Sequence, residues 1–249
     1  VVLPDRFPML EVKTWSKHFG GVRAVDGLDL RVERGEIFGL IGPNGSGKST
    51  LVNVICGVLQ PTSGDILFEG RSLDGRAPSA RLRTGIARTF QNIRLFGGLT
   101  VWQNLWVAGN STEDIKSQSI VSRWIGTSTR LKKEIEVMLE FSDLADKADV
   151  LASNLAFGEQ RRLELARAIA AKPRLLLLDE PAAGMNQAEV GELEKRLRSL
   201  RKQGMTIILV EHVMQLVMGV TDRIAVLNFG SKIAEGTPEN IQQDKAVQT

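Results

Sequence analysis

IFGLIGPNGSGKST, residues 37–50, is the stretch that decides the fold. Its first five residues, Ile37–Ile41, form a short apolar run typical of a buried strand, and helical character continues after the stretch to about Leu59. Between these elements, Gly42–Ser49 matches the pattern G-x-x-x-x-G-K-[ST], in which the backbone N–H groups of a glycine-rich loop surround phosphate oxygens. The alternative, a glycine-rich turn without a ligand, is disfavoured by the strand before it and the helix after it. The sequence therefore predicts a P-loop nucleotide-binding site.

The residue types in this loop suit a nucleotide. Glycines let the backbone pass close to a phosphate, and the N-terminus of the following helix adds N–H donors and positive potential. Lys48 supplies a mobile positive charge for the β- and γ-phosphates, and the hydroxyl of Ser49 can bind Mg²⁺. The predicted nucleotide-binding residues of the loop are Gly42, Pro43, Asn44, Gly45, Ser46, Gly47, Lys48, Ser49 and Thr50.

A second apolar run ends in two carboxylates. Leu175–Leu178 is wholly apolar, as in a strand buried inside a parallel sheet, and Asp179 and Glu180 follow it. Ligands bind at this carboxyl-terminal edge of α/β sheets, so we expect Asp179 on the Mg²⁺ side of the nucleotide and Glu180 as the base for the attacking water. The alternative, an acidic strand end facing solvent, would be favoured only if the P-loop were absent. No N-K-x-D motif, which recognises guanine, is present, and this favours ATP over GTP.

Two further polar residues are candidates for the same site. His212 directly follows the apolar stretch TIILVE, and a place at the sheet edge beside Asp179 and Glu180 favours a catalytic role over a packed or capping one. Gln91, in the segment RTFQN, can contact Mg²⁺ or water through its amide, although most glutamines are surface residues. His18 has no such context and is predicted to lie at the surface.

The rest of the chain completes an α/β pattern. Met9–Thr14 and Val22–Val32 alternate apolar and polar residues around Gly20-Gly21, which predicts an antiparallel pair, and a C-terminal hairpin is predicted to turn at Gly230-Ser231. In residues 99–152 the strand signals vanish, and a helical insert is expected. The predicted fold is α/β, a P-loop NTPase core with a mixed, mainly parallel sheet, an antiparallel β subdomain and a helical subdomain.

Composition limits the class of protein. The 249 residues are 43% hydrophobic and 24% charged, as is ordinary for soluble globular proteins. The net charge of +3 favours a few extra surface lysines and arginines, and a nucleic acid or an anionic surface as partner is the alternative. Cys56 is the single cysteine, which excludes an internal disulfide, favours a reducing compartment and suits a small buried thiol. The apolar runs are too short to span a bilayer, and the first ten residues do not resemble a secretory signal.

A helix with an apolar face begins inside NLAFGEQRRLELARA, residues 154–168, although Phe157-Gly158-Glu159 is a poor cap. Together with the P-loop and the residues at the sheet edge, this segment resembles the ATP-binding cassette family, the nucleotide-binding subunits of ABC transporters, over nearly the whole chain. The resemblance implies that Leu155–Glu159 is the signature, commonly L-S-G-G-Q, whose bare helix N-terminus closes on the γ-phosphate held by the P-loop of an opposing subunit. Its N–H groups and helix dipole would then face an anion.

Several family positions are filled unusually in this chain. Ala156 replaces the usual serine, Phe157 replaces a glycine, and Glu159 replaces a glutamine, so that Glu159 is expected to point away from the nucleotide or to weaken the site. Asn186 stands at the D-loop position of a usual aspartate. Phe19 stands where an aromatic residue commonly stacks on adenine, although a buried Phe at a strand end is the alternative. The signature residues expected to contact the ATP of a partner subunit are Ala156, Phe157, Gly158 and Glu159.

Three longer stretches, ARTFQNIRLFGGLTVWQNL, LDEPAAGMN and EHVMQLVMGVTDRIAVLNFG, look similar to the ATPase subunits of branched-chain amino-acid importers. The resemblance implies one half of an ATP-sandwich dimer that hydrolyses ATP with Mg²⁺ to power an importer. Its implied partners are a second ABC ATPase subunit (the same or a related chain), transmembrane permease subunits and, indirectly, a periplasmic binding protein, with no nucleic acid. The implied location is peripheral, at the cytoplasmic face of the inner membrane. The metal ligands expected are Ser49, Gln91 and Asp179, and the catalytic residues expected are Glu180 and His212.

The expected organisation is a single ABC ATPase domain, residues 1–249. Residues 1–98 would form the β subdomain and P-loop core, 99–157 the helical subdomain, and 158–249 the signature helix, the second half of the core and the hairpin. Three tryptophans fall in the helical insert, either as a small core or as a surface for a helix of the permease: Trp102, Trp106 and Trp124.

Three alternative functions share the same motifs. The chain could serve another ABC system, for urea import or lipopolysaccharide export, or it could be a soluble ABC protein that acts on DNA or ribosomes. Such soluble proteins usually carry two cassettes or a long coiled coil, and the sequence shows neither. A regulatory cassette that does not hydrolyse ATP is disfavoured because Glu180 and His212 are both present.

Overall fold

The structure is a computed structural model that describes residues 7–110 and 129–248. The chain divides into two compact units: the first contains the residues up to Arg88 and from Arg174 onward, and the second runs from Thr89 to Pro173. Within the described ranges, no helix is both long enough and apolar enough to cross a membrane.

The strands, in chain order, are β1 (Leu10–Phe19), β2 (Val22–Val32), β3 (Ile37–Ile41), β4 (Ser63–Phe68), β5 (Arg71–Ser72), β6 (Ile86–Arg88), β7 (Leu175–Asp179), β8 (Thr206–Val210), β9 (Arg223–Asn228) and β10 (Ser231–Gly236). The helices are α1 (Lys48–Ile55), α2 (Pro78–Arg83), α3 (Val101–Gly109), α4 (Thr129–Ser142), α5 (Phe157–Ala170), α6 (Gln187–Lys202), α7 (Met214–Val220), α8 (Pro238–Gln243) and α9 (Lys245–Gln248). Two 3-10 helices, Ala145–Lys147 and Ala152–Asn154, precede α5.

A six-stranded sheet forms the centre of the first unit, in the order β10-β9-β3-β8-β7-β6. Its strands pair in parallel, except that β10 runs antiparallel to β9. Every residue of β3, β7 and β8 is buried, which explains why these strands are continuous apolar runs. Because β8 lies between β3 and β7, the carboxyl ends of these three strands meet at one edge of the sheet. The predicted α/β class with a mainly parallel sheet is confirmed.

A second, antiparallel sheet of the first unit has the order β2-β1-β4-β5. The predicted pairing of β1 with β2 around Gly20-Gly21 is confirmed, and β1 continues to Phe19, beyond the predicted end at Thr14. Trp15 is fully buried in the core of this unit, so the strand carries apolar side chains inward over its added length.

Helix α1 ends at Ile55, so the prediction that it continues to about Leu59 was wrong. Gly57 has a φ of +78°, a left-handed conformation that stops the helix. The buried guanidinium of Arg81 donates hydrogen bonds to the last helical carbonyls, those of Val54 and, at 2.9 Å, Ile55. An interaction with a residue 26 positions away could not be predicted from the helical pattern. As predicted, Cys56 is buried, and burial raises the pKa of its thiol to about 11.

The hairpin β9–β10 turns at Phe229-Gly230, one residue before the predicted Gly230-Ser231. Phe229 has a φ of +43° and Gly230 a φ of +79°. Two consecutive residues with positive φ suit a type I′ turn, which matches the twist of a two-stranded hairpin. The prediction failed because a phenylalanine rarely occupies the first of these positions.

The second unit is helical, and its core is formed by α3, α4 and α5. Trp106 is buried in this core and Trp102 packs against it, which supports the interpretation of a small core, whereas Trp124 lies outside the described residues. The unit extends from Thr89 to Pro173, beyond the predicted limits of 99 and 157, because the signature helix α5 packs on α3 and α4. The structure therefore joins the signature helix to the helical unit.

Candidate nucleotide-binding site

The P-loop lies between β3 and α1 and wraps around the ammonium group of its own lysine. Lys48 Nζ donates hydrogen bonds to the carbonyl oxygens of Gly42, at 2.7 Å, and Pro43, at 2.9 Å. The hairpin turn supports the loop from outside, since the N–H of Gly230 donates to the carbonyl of Ser46 at 3.2 Å. Gly47 is the N-cap of helix α1, which therefore has no side-chain cap. The backbone donors of its first turn are therefore not used by a capping side chain.

Two glycines of the loop are required by close approaches of the backbone. A Cβ atom on Gly42, whose φ is +145°, would lie 2.0 Å from the carbonyl oxygen of Leu227. On Gly47, whose φ is +102°, it would lie 2.6 Å from a methyl of Val25 and 2.7 Å from the carbonyl oxygen of Ala24. At Gly45 nothing lies within 4 Å, so only its φ of +81° favours glycine there. The loop therefore presents backbone rather than side chains where Gly42 and Gly47 stand.

The charged side chains at the sheet edge lie close enough to interact electrostatically: Lys48, Asp179, Glu180 and Arg88. Burial lowers the pKa of Lys48, and the negative charges of Glu180 and Asp179 act in the opposite direction. Asp179 ends β7 and is buried; burial raises the pKa of its carboxyl, Glu180 raises it further, and the guanidinium of Arg88, 3.7 Å away, opposes the shift. A desolvated carboxylate near a lysine suits a site that receives a cation together with a polyanion.

The sequence did not indicate that Arg88 contributes to the site. It ends the short edge strand β6, and its guanidinium also donates to Oδ1 of Asn53 on α1 at 2.7 Å. The available signal was a single arginine after the three residues GIA, which alone does not indicate a partner. Pairing of β6 with β7 places Arg88 beside the end of β7 and hence beside Asp179.

Glu180 and His212 come together, as predicted. Glu180 has a φ of +50°, unusual for a residue other than glycine, and its N–H donates to the carbonyl of Val210 at 2.8 Å. His212 Nδ1 lies 3.9 Å from Oε1 of Glu180, and 62% of the His212 side chain is exposed. An exposed imidazole beside a carboxylate in a sparsely populated backbone conformation is typical of a functional position rather than of packing.

Glu211 is a further residue that the sequence did not reveal. Its buried carboxylate accepts hydrogen bonds from three backbone N–H groups: Ala182 at 2.7 Å, His212 at 2.9 Å and Val213 at 3.1 Å. It thereby ties the turn after Glu180 to the loop that carries His212. The only signal was a glutamate at the end of an apolar strand, and its meaning depends on the pairing of β7 with β8.

Phe19 and Asn186, which were predicted from the resemblance, both contact other residues of the first unit. Phe19 is 46% exposed at the end of β1, so the alternative of a buried phenylalanine is wrong, and Lys17 Nζ lies 4.9 Å from its ring centroid. Asn186 is the N-cap of α6: its Oδ1 accepts from the N–H of Glu189 at 3.0 Å, and Glu189 accepts from the N–H of Asn186 at 2.8 Å. The D-loop asparagine therefore serves a capping box.

Gln91 belongs to the second unit, where α5 holds the backbone on either side of it. Gln91 itself is exposed at its side chain. Buried Arg161 donates to the carbonyl of Phe90 at 3.2 Å and to that of Gln91 at 2.7 Å. Glu164, also buried, accepts from the N–H groups of Phe90 and Arg94, each at 3.4 Å. These two residues of the signature helix fix the segment that carries Gln91.

The signature helix begins largely as expected, with one correction. Ala156 is the N-cap and has no side-chain acceptor, so no side chain caps the N–H groups of the first turn. Phe157 is half exposed, and the guanidinium of Arg161 lies 5.3 Å from its ring centroid. However, Glu159 Oε2 accepts a hydrogen bond from the N–H of Ala156 at 3.0 Å. The helix start is therefore not wholly bare, because the chain itself satisfies one donor.

The donors gathered in the loop after β3 decide the class of protein. Close approaches at Gly42 and Gly47 leave backbone N–H groups, a helix N-terminus and the Lys48 ammonium as the groups that a ligand meets there. This is the donor set that a polyphosphate needs, and it is held at the carboxyl edge of a parallel sheet. The protein is of the P-loop nucleotide-binding class.

Comparisons with known proteins identify the family. The chain belongs to the ABC transporter family, whose model matches residues 25–183. The high-affinity branched-chain amino acid transport ATP-binding protein LivG of Escherichia coli K12 is 42% identical over 247 residues, covering 96% of each chain. BraF of Pseudomonas aeruginosa, a protein of the same description, is 40% identical over 247 residues, again 96% of each chain.

Solved structures agree with the family. A nucleotide-free ATP-binding cassette from an ABC transporter superposes with a TM-score of 0.83 at 30% identity, covering 96% of this chain and 97% of that one. The ADP conformation of an ATP-binding cassette gives a TM-score of 0.82 at 30% identity, covering 96% of each chain. The predicted P-loop NTPase fold is confirmed by both.

Proposed function

We propose that this chain is the ATP-hydrolysing subunit of an ABC importer for branched-chain amino acids and acts as one half of an ATP-sandwich dimer. The observation that carries the proposal is the 42% identity to LivG over 96% of both chains, in a protein whose P-loop, Asp179, Glu180 and His212 share one sheet edge.

Each residue at the sheet edge has a separate role in the proposed hydrolysis of ATP. The P-loop N–H groups and Lys48 bind the phosphates and orient the γ-phosphate for attack. Glu180 accepts the proton of the attacking water, and His212, 3.9 Å away, contacts the γ-phosphate side of the site. Mg²⁺, when bound with ATP, neutralises charge on the phosphates. The residues of the first unit that would hold it are Ser49 and Asp179.

The signature is proposed to act on a nucleotide bound to another subunit. The first turn of α5 has N–H groups without a side-chain cap at Ala156, and a helix N-terminus of this kind binds anions. Ala156, Phe157, Gly158 and Glu159 would then face the γ-phosphate bound by the partner's P-loop. Asn186 would contact the partner through the D-loop, and Phe19 would stack on adenine in the chain's own site.

The partners proposed follow from the same similarity. They are a second ABC ATPase subunit, of the same or a related chain, and transmembrane permease subunits, with a periplasmic binding protein acting through the permease. The chain would lie at the cytoplasmic face of the inner membrane as a peripheral subunit, without a nucleic-acid partner.

Affinity purification from native membranes tests the proposal. We expect the tagged chain to recover permease subunits and a second ATPase, and the recovered complex to hydrolyse Mg-ATP. Recovery of ribosomal proteins or DNA instead of a permease would contradict the proposal and favour a soluble ABC protein. Recovery of a urea permease or of lipopolysaccharide-export components would keep the ATPase assignment and contradict the substrate.

A further inference from the structure

The first turn of the signature helix carries a carboxylate where the family commonly has a glutamine. Glu159 is held from two sides: its Oε2 accepts from the N–H of Ala156 at 3.0 Å, and its Oε1 lies 2.5 Å from Nζ of Lys147. The guanidinium of Arg162 lies farther away, at 3.9 Å. Only 17% of the Glu159 side chain is exposed. The carboxylate is thus fixed in one place, and Lys147 is the nearest cation to it among the described residues.

The ion pair between Lys147 and Glu159 sets the charge at the start of α5. The hydrogen bond from Lys147 lowers the pKa of Glu159, so the carboxylate is ionised at neutral pH. A negative charge in the first turn stabilises the helix by itself, but it also opposes the binding of a second anion at the same N-terminus. Without compensation, Glu159 would repel the phosphate that the signature is proposed to bind. The Lys147 ammonium cancels that charge at hydrogen-bonding distance.

Lys147 is not part of the signature. It ends the 3-10 helix Ala145–Lys147, 12 residues before Glu159, and reaches the helix start only through the fold of the second unit. An ordinary exposed ion pair of this kind contributes little to stability. Lys147 pairs with a carboxylate at the helix N-terminus that also accepts a hydrogen bond from the N–H of Ala156. The charge of Lys147 therefore affects anion binding at this N-terminus as well as stability.

We propose that Lys147 is a positioning residue of the signature: it neutralises Glu159 and holds it on the N–H of Ala156, so that the remaining N–H groups can donate to the γ-phosphate of a partner's ATP. This inference rests on the proposed function of the signature. It explains how the chain tolerates a glutamate at a position where the family uses an uncharged amide. Glu159 and Lys147 then form one compensated pair rather than a weakened site.

A double-mutant cycle in the membrane complex tests the proposal. Lys147→Ala should lower the rate of Mg-ATP hydrolysis on the order of tenfold, in the lower range of coupling between sites. In the Glu159→Gln background, the same Lys147→Ala change should lower the rate less than about twofold, since no carboxylate is left to compensate. Lys147→Arg should keep most of the rate because it keeps the charge. Binding of a fluorescent ATP analogue to the chain's own P-loop should be the same in all variants.

The matched control is Lys172→Ala. Lys172 Nζ lies 2.6 Å from Glu134 in the same unit, just past the other end of α5, so the control removes an ion pair of similar length. We expect it to leave hydrolysis unchanged. An equal loss of rate for Lys147→Ala with and without Glu159→Gln would show a merely structural role and overturn the proposal, as would a normal rate for Lys147→Ala.

Gly158→Asp separates this inference from the proposed function. If the signature binds a partner's ATP, the added carboxylate should reduce hydrolysis by roughly 10²–10³-fold, as for the loss of a preorganised anion donor. A normal rate for Gly158→Asp would contradict the proposed role of the signature itself. A collapsed rate for Gly158→Asp together with a normal rate for Lys147→Ala would contradict only the compensation by Lys147.

Discussion

Replacing Gly42 by alanine should destabilise the first unit more than the same change at Gly45. At Gly42 the new Cβ would meet the carbonyl oxygen of Leu227 at 2.0 Å, whereas ordinary contact begins near 3.4 Å, so β9 and the loop must separate. Overpacking of this kind costs about 1–3 kcal/mol, in addition to about 1–2 kcal/mol for an alanine with positive φ. At Gly45 only the second contribution applies, because nothing lies within 4 Å.

Urea unfolding without nucleotide, followed by circular dichroism, measures this difference. We expect Gly42→Ala to lower the free energy of unfolding by about 2–5 kcal/mol and Gly45→Ala by about 1–2 kcal/mol. Because no nucleotide is present, the comparison reports the backbone geometry and not ligand binding. Equal losses in the two variants would refute the close approach between the loop and β9.

Four further substitutions separate the roles at the sheet edge. Lys48→Ala should weaken Mg-ATP binding and abolish turnover, because the phosphates lose their mobile cation; calorimetry and a phosphate-release assay measure both, and unchanged values would contradict the P-loop assignment. Glu180→Gln should still bind ATP while hydrolysis falls by roughly 10²–10⁴-fold, and a fully active variant would place the base elsewhere. Glu211→Ala should lower the free energy of unfolding by about 2–4 kcal/mol, because three backbone N–H groups, of which that of Ala182 is buried, lose their acceptor; an unchanged urea midpoint would contradict this. His212→Ala, at an exposed side chain, should lower hydrolysis with less than about 0.5 kcal/mol effect on unfolding, and a loss of stability like that of Glu211→Ala would indicate a structural histidine.

The elements that the sequence predicted best are those whose pattern is local. Ile37–Ile41 and Leu175–Asp179 are buried on both faces, so each appears as an uninterrupted apolar run. The P-loop was predictable because its chemistry requires particular residues at fixed spacing. Turns were less predictable, since the hairpin places Phe229 in a conformation that its side chain does not favour.

The features that could not be predicted from the sequence depend on contacts between residues that are distant along the chain. Helix α1 ends where Arg81, from α2, meets its last carbonyls. Glu211 matters because the pairing of β7 with β8 brings the N–H of Ala182 to its carboxylate. Lys147 reaches Glu159 through the fold of the helical unit. In each case the residue type was visible in the sequence, but its partner was not.

Uptake of radiolabelled leucine by proteoliposomes tests the central claim most directly. The vesicles would contain the complete complex recovered with this chain, its binding protein outside and an ATP-regenerating system inside. The account predicts ATP-dependent accumulation of leucine that falls by about tenfold or more with Glu180→Gln in this chain. A complex that hydrolyses ATP without accumulating leucine, isoleucine or valine, or leucine uptake that is unaffected by Glu180→Gln, would contradict it.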